Sequence, residues 1–388
     1  MALRLSTIPY RLPLRRPWRT ARGLCEVRAG WLVQAEADGF TGFGDCAPLP
    51  EVGTETAEQA ERRLRHWCER AGAGAEALLA ALAAGAVATP AADCAVETAL
   101  LDLTARRDVV PLRRLLAADA LERVAVNAML GAAATLEPVQ VERAVAAGFR
   151  VLKLKVGTAG IDIEVPRIRA AAALLPPGAS LRLDANGAWD AALAARWIDA
   201  LSGLPIDCIE EPLAEPDAAE LARLQAAALF SLALDESLGR LGSAFVGSDQ
   251  RASPGMAVAR GAGDAGFRSS TQPTGLAVGA MDPRHLPVRR LVLKPAVLGG
   301  LRRTLGLAAR AQAAGHEVVV TTVVESAAGL WATAQLAAAT GSPLAHGLAT
   351  AAWLASDLGT PPAIEDGAIR LPDVGGSGFA AGCGEHYG

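Results

Sequence analysis

Hydrophobic and polar positions follow two rhythms along this chain. The first 45 residues alternate with period two. "MALRLSTIPYRLPLRRPW" and "AEADGFTGFG" read as half-buried strands, with Asp38-Gly39 as a hairpin turn between two of them. An antiparallel meander is expected there. Residues 55–120 change to a helical pattern. Thr89-Pro90 is placed to act as N-cap and first helical residue of "AADCAVETALLDLTARR".

From about residue 123 short apolar runs alternate with Ala/Leu/Arg helices such as 190–201 and 300–314. The strand candidates are "VAVNAML" (124–130), "VLKLKV" (151–156), "LRLDAN" (181–186), "IDCIEEP" (206–212), "LALDES" (232–237), "LVLKPAV" (291–297), "EVVVTTV" (317–323) and a weaker one at "PLAHGL" (343–348). That succession predicts an α/β fold, a TIM-like parallel barrel with helices outside. An open doubly wound sheet is the alternative, weakened because no glycine-rich dinucleotide loop follows any of these strands. Residues 238–288 interrupt the rhythm with a Gly-, Ser-, Ala- and Pro-rich insertion. It reads as a tolerated surface insertion, lying over the barrel mouth or at the opposite end.

Composition narrows the function classes. Of 388 residues, 51% are hydrophobic, so the chain can build a large core. A formal charge of −4 gives no basic excess for nucleic acid. The most apolar run, near 77–88, is too short to span a bilayer, and the start has no long apolar leader-like run. The six cysteines are scattered without a CxxC pair. Free thiols and a cytoplasmic setting are expected, with no membrane and no zinc site.

The strand "RVLKLKVG" carries Lys153 and Lys155 two positions apart, hence on one face. Paired ammoniums on a buried strand need counter-charge. Other strands supply it at their C-terminal ends: Asp184, Glu210 with Glu211, Asp235 with Glu236, Lys294, and Glu325 after the seventh. In a barrel these ends share one face, and adjacent strands are about 4.8 Å apart. Asp184, Glu210 and Asp235 can therefore surround one point. Three carboxylates there call for a hard divalent cation, Mg²⁺ or Mn²⁺, with Lys155 and Lys294 on either flank. Taken singly, each acid could instead cap a helix and each lysine could face solvent.

The ordered set "KLK" (153–155), "DAN" (184–186), "EEP" (210–212), "DES" (235–237), "LKP" (293–295) and "VES" (324–326) resembles the enolase superfamily and its muconate-lactonising subgroup. The resemblance implies a (β/α)7β barrel over 123–348 and an α+β capping domain over 1–122 plus 349–388. It implies Mg²⁺ on Asp184, Glu210 and Asp235, with Glu211 behind them. Lys155 would be the base that removes a proton α to a carboxylate, helped by Lys153. Lys294 would be a second acid/base, or a cation over a substrate ring. "GFGDCAPLPEVGTET" (42–56) is similar to a cap segment of the o-succinylbenzoate synthases. Those enzymes are lyases that eliminate water in menaquinone biosynthesis. Racemases of N-acylamino acids, dipeptide epimerases and muconate cycloisomerases share the machinery and stay open, as does an inactive binding barrel. Arg19, among the cap arginines 15, 16, 19 and 22, is expected to meet a small anionic carboxylate substrate or else to be solvated. Thr322, in a "TTVV" stretch where the family has more serines, and Glu325 are placed against the substrate's side group. His316 and His346 read as structural. A second copy of this chain is the only protein partner entertained.

Overall fold

The computed structural model describes residues 2–20, 23–241 and 282–382. Residues 242–281, the bulk of the expected insertion, lie outside the described residues, as do Arg22 and Cys383 and the side chain of Arg19.

The meander forms as the alternation predicts. Strands β1 (Arg4–Thr20), β2 (Gly23–Ala37) and β3 (Phe40–Cys46) make one antiparallel sheet. Asp38 (φ 51°) and Gly39 (φ 83°) make the two-residue turn in the left-handed conformation that a tight hairpin requires. Helices α1 (Ala57–Glu69), α2 (Ala75–Ala84) and α3 (Pro90–Arg107) cover this sheet, and α4 (Leu112–Leu116) leads to the barrel. Val33, Ala35, Leu64, Trp67, Val96 and Leu100 are buried together between sheet and helices.

The run 124–130 is two strands rather than one. β4 (Arg123–Ala125) leaves the barrel and pairs antiparallel with β13 (Ala368–Arg370), which pairs with β12 (Ile364–Glu365). β5 (Ala128–Ala132) begins the barrel. Parallel strands β6 (Val151–Lys155), β7 (Ser180–Asp184), β8 (Ile206–Glu210), β9 (Ser231–Leu234), β10 (Arg290–Leu293) and β11 (Glu317–Val320) follow in spatial order. The strand expected over 291–297 stops at Leu293. Pro295 starts a single helical turn, Pro295–Leu298, in which its missing N–H costs nothing.

The weak eighth strand is reduced to two bridging residues, His346 to Val126 and Gly347 to Thr321. His346 donates its N–H to Ala125 and accepts from Asn127, while Gly347 donates to Val320. The two open edges of the seven-stranded sheet are thereby joined into a ring. Helices α5 (Pro138–Ala146), α6 (Ile161–Ala173), α7 (Ala191–Ala200), α8 (Ala218–Ala227), α9 (Leu301–Ala313) and α10 (Ala327–Ala339) lie outside the strands. Leu152, Leu154, Leu181, Leu183, Ile209, Leu291 and Leu293 pack outward against them.

The C-terminal stretch divides its contacts. Residues 351–358 lie along β1 through Leu354 and Ala355, and Phe379 stacks edge-on with Phe43. The β12–β13 hairpin instead pairs with β4 at the N-terminal end of the barrel. Among the described residues no helix is long and apolar enough to cross a membrane.

Candidate active site

Strand parity decides what fills the barrel. On β6 the leucines 152 and 154 face the helices, so Lys153 and Lys155 face inward. The register sets Lys155 opposite Asp184, Asp184 opposite Glu210, and Lys153 opposite Arg182. Cys208, Ala233 and Val292, on three neighbouring strands, form a small buried apolar layer. Two polar clusters share the barrel interior with it, and they adjoin where Lys153 stands opposite Arg182. Arg182 in the middle of β7 and Arg290 at the start of β10 both donate to Asp207 Oδ2 (2.8 and 2.5 Å), and Arg290 also reaches Glu317 (2.9 Å). At the C-terminal ends lie the lysines and acids singled out in the sequence.

Lys153 Nζ sits 2.8 Å from Asp184 Oδ2 and 2.8 Å from Glu210 Oε2. Burial alone would lower this ammonium's pKa, but the two carboxylates raise it well above the ordinary lysine value. Lys294 Nζ lies 2.6 Å from Asp235 Oδ2 and 3.1 Å from Glu236 Oε1, and its pKa is raised in the same way against burial. Burial lifts Asp184 above the usual carboxylate range, Lys153 pulling against it and Glu210 adding to it. Asp235 is pushed well up, again chiefly by burial. Glu210 is held low because the Lys153 ion pair outweighs its burial. Lys155 differs from its neighbours: it is exposed at the rim and, among the described residues, has no ion-pair partner.

The expected trio is thus divided between two lysines. Asp184 and Glu210 share Lys153, and Asp235 shares Lys294 with Glu236. As placed, no three His, Cys, Asp or Glu side chains among the described residues form a group that could hold a metal ion. A buried carboxylate takes the nearest counter-charge, and the neighbouring strand offers an ammonium. The donor set itself fits a hard divalent cation. It is all oxygen, it lies on adjacent strand ends, and four carboxylates meet only two ammoniums.

The loops after these strands are held in demanding conformations. Asn186 (φ 45°) and Glu211 (φ 47°) occupy the left-handed region just past Asp184 and Glu210. Glu211 Oε1 accepts from the N–H groups of Asp235 (2.5 Å) and Ser237 (3.0 Å) and from the Ser237 hydroxyl (2.8 Å). Glu211 therefore shapes the loop carrying Asp235. Glu164 accepts from the amides of Gly157, Thr158 and Ala159 and so fixes the loop after Lys155. Sequence reasoning missed Glu164. Its signal was one of two acids, with Asp162, in the first turn of α6, which looks like ordinary dipole compensation.

Thr322 and Glu325, expected against the substrate's side group, both make hydrogen bonds within the protein. Thr322 is buried, shares a hydrogen bond with Thr350 (3.0 Å), and accepts from Val324 N–H. Glu325 is buried beside the cap residue Asp45, with Oε2 accepting from Val323 N–H (2.8 Å). His346 is fully buried, and its Nδ1 accepts from Val320 N–H, a structural role as expected.

Comparison with known proteins bears on this arrangement. Residues 137–245 match the family described as "Enolase C-terminal domain-like", and residues 6–98 match "MenC, N-terminal domain". An o-succinylbenzoate synthase of Thermosynechococcus vestitus is 33% identical over 59% of this chain and 67% of that protein. The chain belongs to the enolase superfamily. Within the superfamily it is also similar to an o-succinylbenzoate synthase of Desulfotalea psychrophila, 27% identical over 93% of this chain and 96% of that one. Its fold matches the muconate lactonizing enzyme of Pseudomonas fluorescens complexed with muconolactone (TM-score 0.76, 24% identity, 98% and 97% of the two chains). It also matches the dipeptide epimerase of Enterococcus faecalis complexed with Mg and L-Leu-L-Tyr (TM-score 0.75, 23% identity, 97% and 99%). This enolase-superfamily chain is accordingly an enzyme, and its TIM-like barrel with a separate antiparallel sheet is the superfamily architecture.

Proposed function

We propose that the enzyme is a metal-dependent carbon–oxygen lyase of the o-succinylbenzoate synthase type, acting in menaquinone biosynthesis. Lys155 carries the reading. It stands opposite Asp184 at the rim and, among the described residues, has no ion-pair partner, which leaves its amine open to a substrate. The substrate class rests on the similarity of residues 6–98 to the MenC N-terminal domain and on the synthase relatives. The substrate in this reading is a cyclohexadiene carboxylate bearing a succinyl group and a hydroxyl.

Lys155 takes the proton α to the carboxylate. The C–H electron pair forms the new ring double bond as the C–O bond breaks, and the hydroxide leaves as water with the proton from Lys155. One amine serves both steps if proton and hydroxyl lie on one ring face. Lys153 offsets the charge of Asp184 and Glu210, and Lys294 presents its cation across the barrel from Lys155. A bound Mg²⁺, or Mn²⁺, held by Asp184, Glu210 and Asp235 would supply positive charge to the substrate carboxylate as the proton leaves.

The test is the absorbance of the aromatic product. Wild type should form it, EDTA should stop it, and added Mg²⁺ should restore it. Lys155→Ala should lower kcat by ~10²–10⁴. Turnover that survives in Lys155→Ala would sink the base assignment. Exchange of the α-proton of a dipeptide or N-acylamino acid in D₂O, without aromatic product, would replace the lyase by an epimerase or racemase.

A further inference from the structure

The loop that follows β11 is held from outside the barrel. Arg28 on β2 is buried and spreads its guanidinium over three carbonyls. Nε donates to Val324 O (3.2 Å), Nη1 to Pro48 O (3.2 Å) and Nη2 to Ala47 O (2.7 Å). Asp45 on β3 completes the grip. Its Oδ2 accepts from the Ser326 N–H (2.6 Å) and hydroxyl (2.7 Å), and its Oδ1 from Tyr10 (2.5 Å). Gly329 permits the close approach, since a Cβ there would fall 2.6 Å from Glu325 Cβ and 3.1 Å from Asp45 Cβ. Between the two anchors Val324 is buried with φ 61°, a left-handed conformation that β-branched residues strongly disfavour. Leu49 of the cap loop packs on Val323 and on Ala296, two residues past Lys294. One cap arginine therefore ties the cap loop at 47–48 to the strained barrel loop at 324, on the side of the mouth where Lys294 stands.

We propose that Arg28 and Asp45 are positioning residues. By clasping residues 324–326 they fix the cap loop 47–54 against the barrel loop 322–326 before substrate arrives, and that register sets selectivity for the substrate's side group. The inference rests on reading the barrel mouth as the active site. A rigid guanidinium fork is needed, because one lysine ammonium cannot reach three divergent carbonyls in fixed geometry. The strained Val324 makes the loop ready to relax as soon as the grip is lost.

The experiment uses Arg28→Met, Arg28→Lys, Val324→Gly and the Arg28→Met/Val324→Gly double variant, assayed with the succinyl-bearing cyclohexadiene carboxylate. Arg28→Met should raise KM at least tenfold while kcat moves less than threefold, with Arg28→Lys in between. Glycine accepts φ 61° without strain, so Val324→Gly in the Arg28→Met background should bring KM back toward wild type. Amide hydrogen exchange should speed up in Arg28→Met at both 47–54 and 322–326. A folded Arg28→Met with wild-type KM, or a fall in kcat alone, overturns the proposal. If wild type does not turn over this compound, the lyase reading fails. The exchange measurement still decides the clasp, since exchange unchanged in either segment refutes it.

Discussion

At the scale of single residues, Glu325 shows what burial does to a carboxyl. Burial, with the charge of Asp45 next, lifts its pKa from the ordinary 4.5 to about 7. The folded state then binds the proton more tightly than the unfolded chain. This contribution to stability is complete below about pH 4.5, declines as pH rises from there to about 7, and is absent above, where both states are ionised. The window corresponds to at most about 3 kcal/mol. Glu325→Gln should therefore flatten the fall in Tm between pH 5 and pH 8 relative to wild type, and parallel Tm–pH curves would refute the assignment. The residues of "KLK", "DAN", "EEP" and "DES" were legible because each charge interrupts an apolar strand at a fixed place. Which lysine each acid takes was not legible, since that depends on side-chain reach between strands.

At the scale of elements, helix α3 shows how a correct boundary can have an unforeseen cause. Thr89-Pro90 does begin the helix, but the Thr89 side chain makes no capping bond. The carboxylate of Glu55 caps it instead, accepting from the amides of Ala91 (3.0 Å) and Ala92 (2.7 Å). Glu55→Ala should leave those buried donors unpaired and cost about 1–2 kcal/mol, read from the urea midpoint. An unchanged midpoint would return the cap to Thr89. The partner lies 36 residues upstream of Ala91, in a loop, so no local signature could reveal it. The broken strand at 124–130 has a similar origin. Val126 and Asn127 turn to meet His346, and β4 goes to a hairpin near the C-terminus.

At the scale of the whole molecule, the barrel holds two polar clusters, an upper one at the C-terminal ends of the strands and a lower one around Asp207. The lower one is structural. Asp207 receives both Arg182 and Arg290, and these guanidiniums, prevailing over burial, hold its carboxyl below the usual range. Its contribution is present above the unfolded pKa, about 3.9, and is lost as pH falls through the lower folded value. Asp207→Asn leaves two buried guanidiniums short of charge and should destabilise by about 3–5 kcal/mol. Activity per folded molecule should change little, because Asp207 pairs with Arg182 and Arg290 and with none of the lysines at the strands' C-terminal ends. A large KM change with little loss of stability would refute that structural role.

The sequence by itself determined the succession of strands and helices, the inward parity of Lys153 and Lys155, and the acids at the strand ends. Each follows from periodicity and polarity over a few neighbouring residues. Tertiary structure alone decided how the acids pair, how His346 and Gly347 join the sheet edges, and how Arg28 reaches Val324. Those contacts join positions tens to hundreds of residues apart, and only the closed barrel with its cap brings them within hydrogen-bond distance.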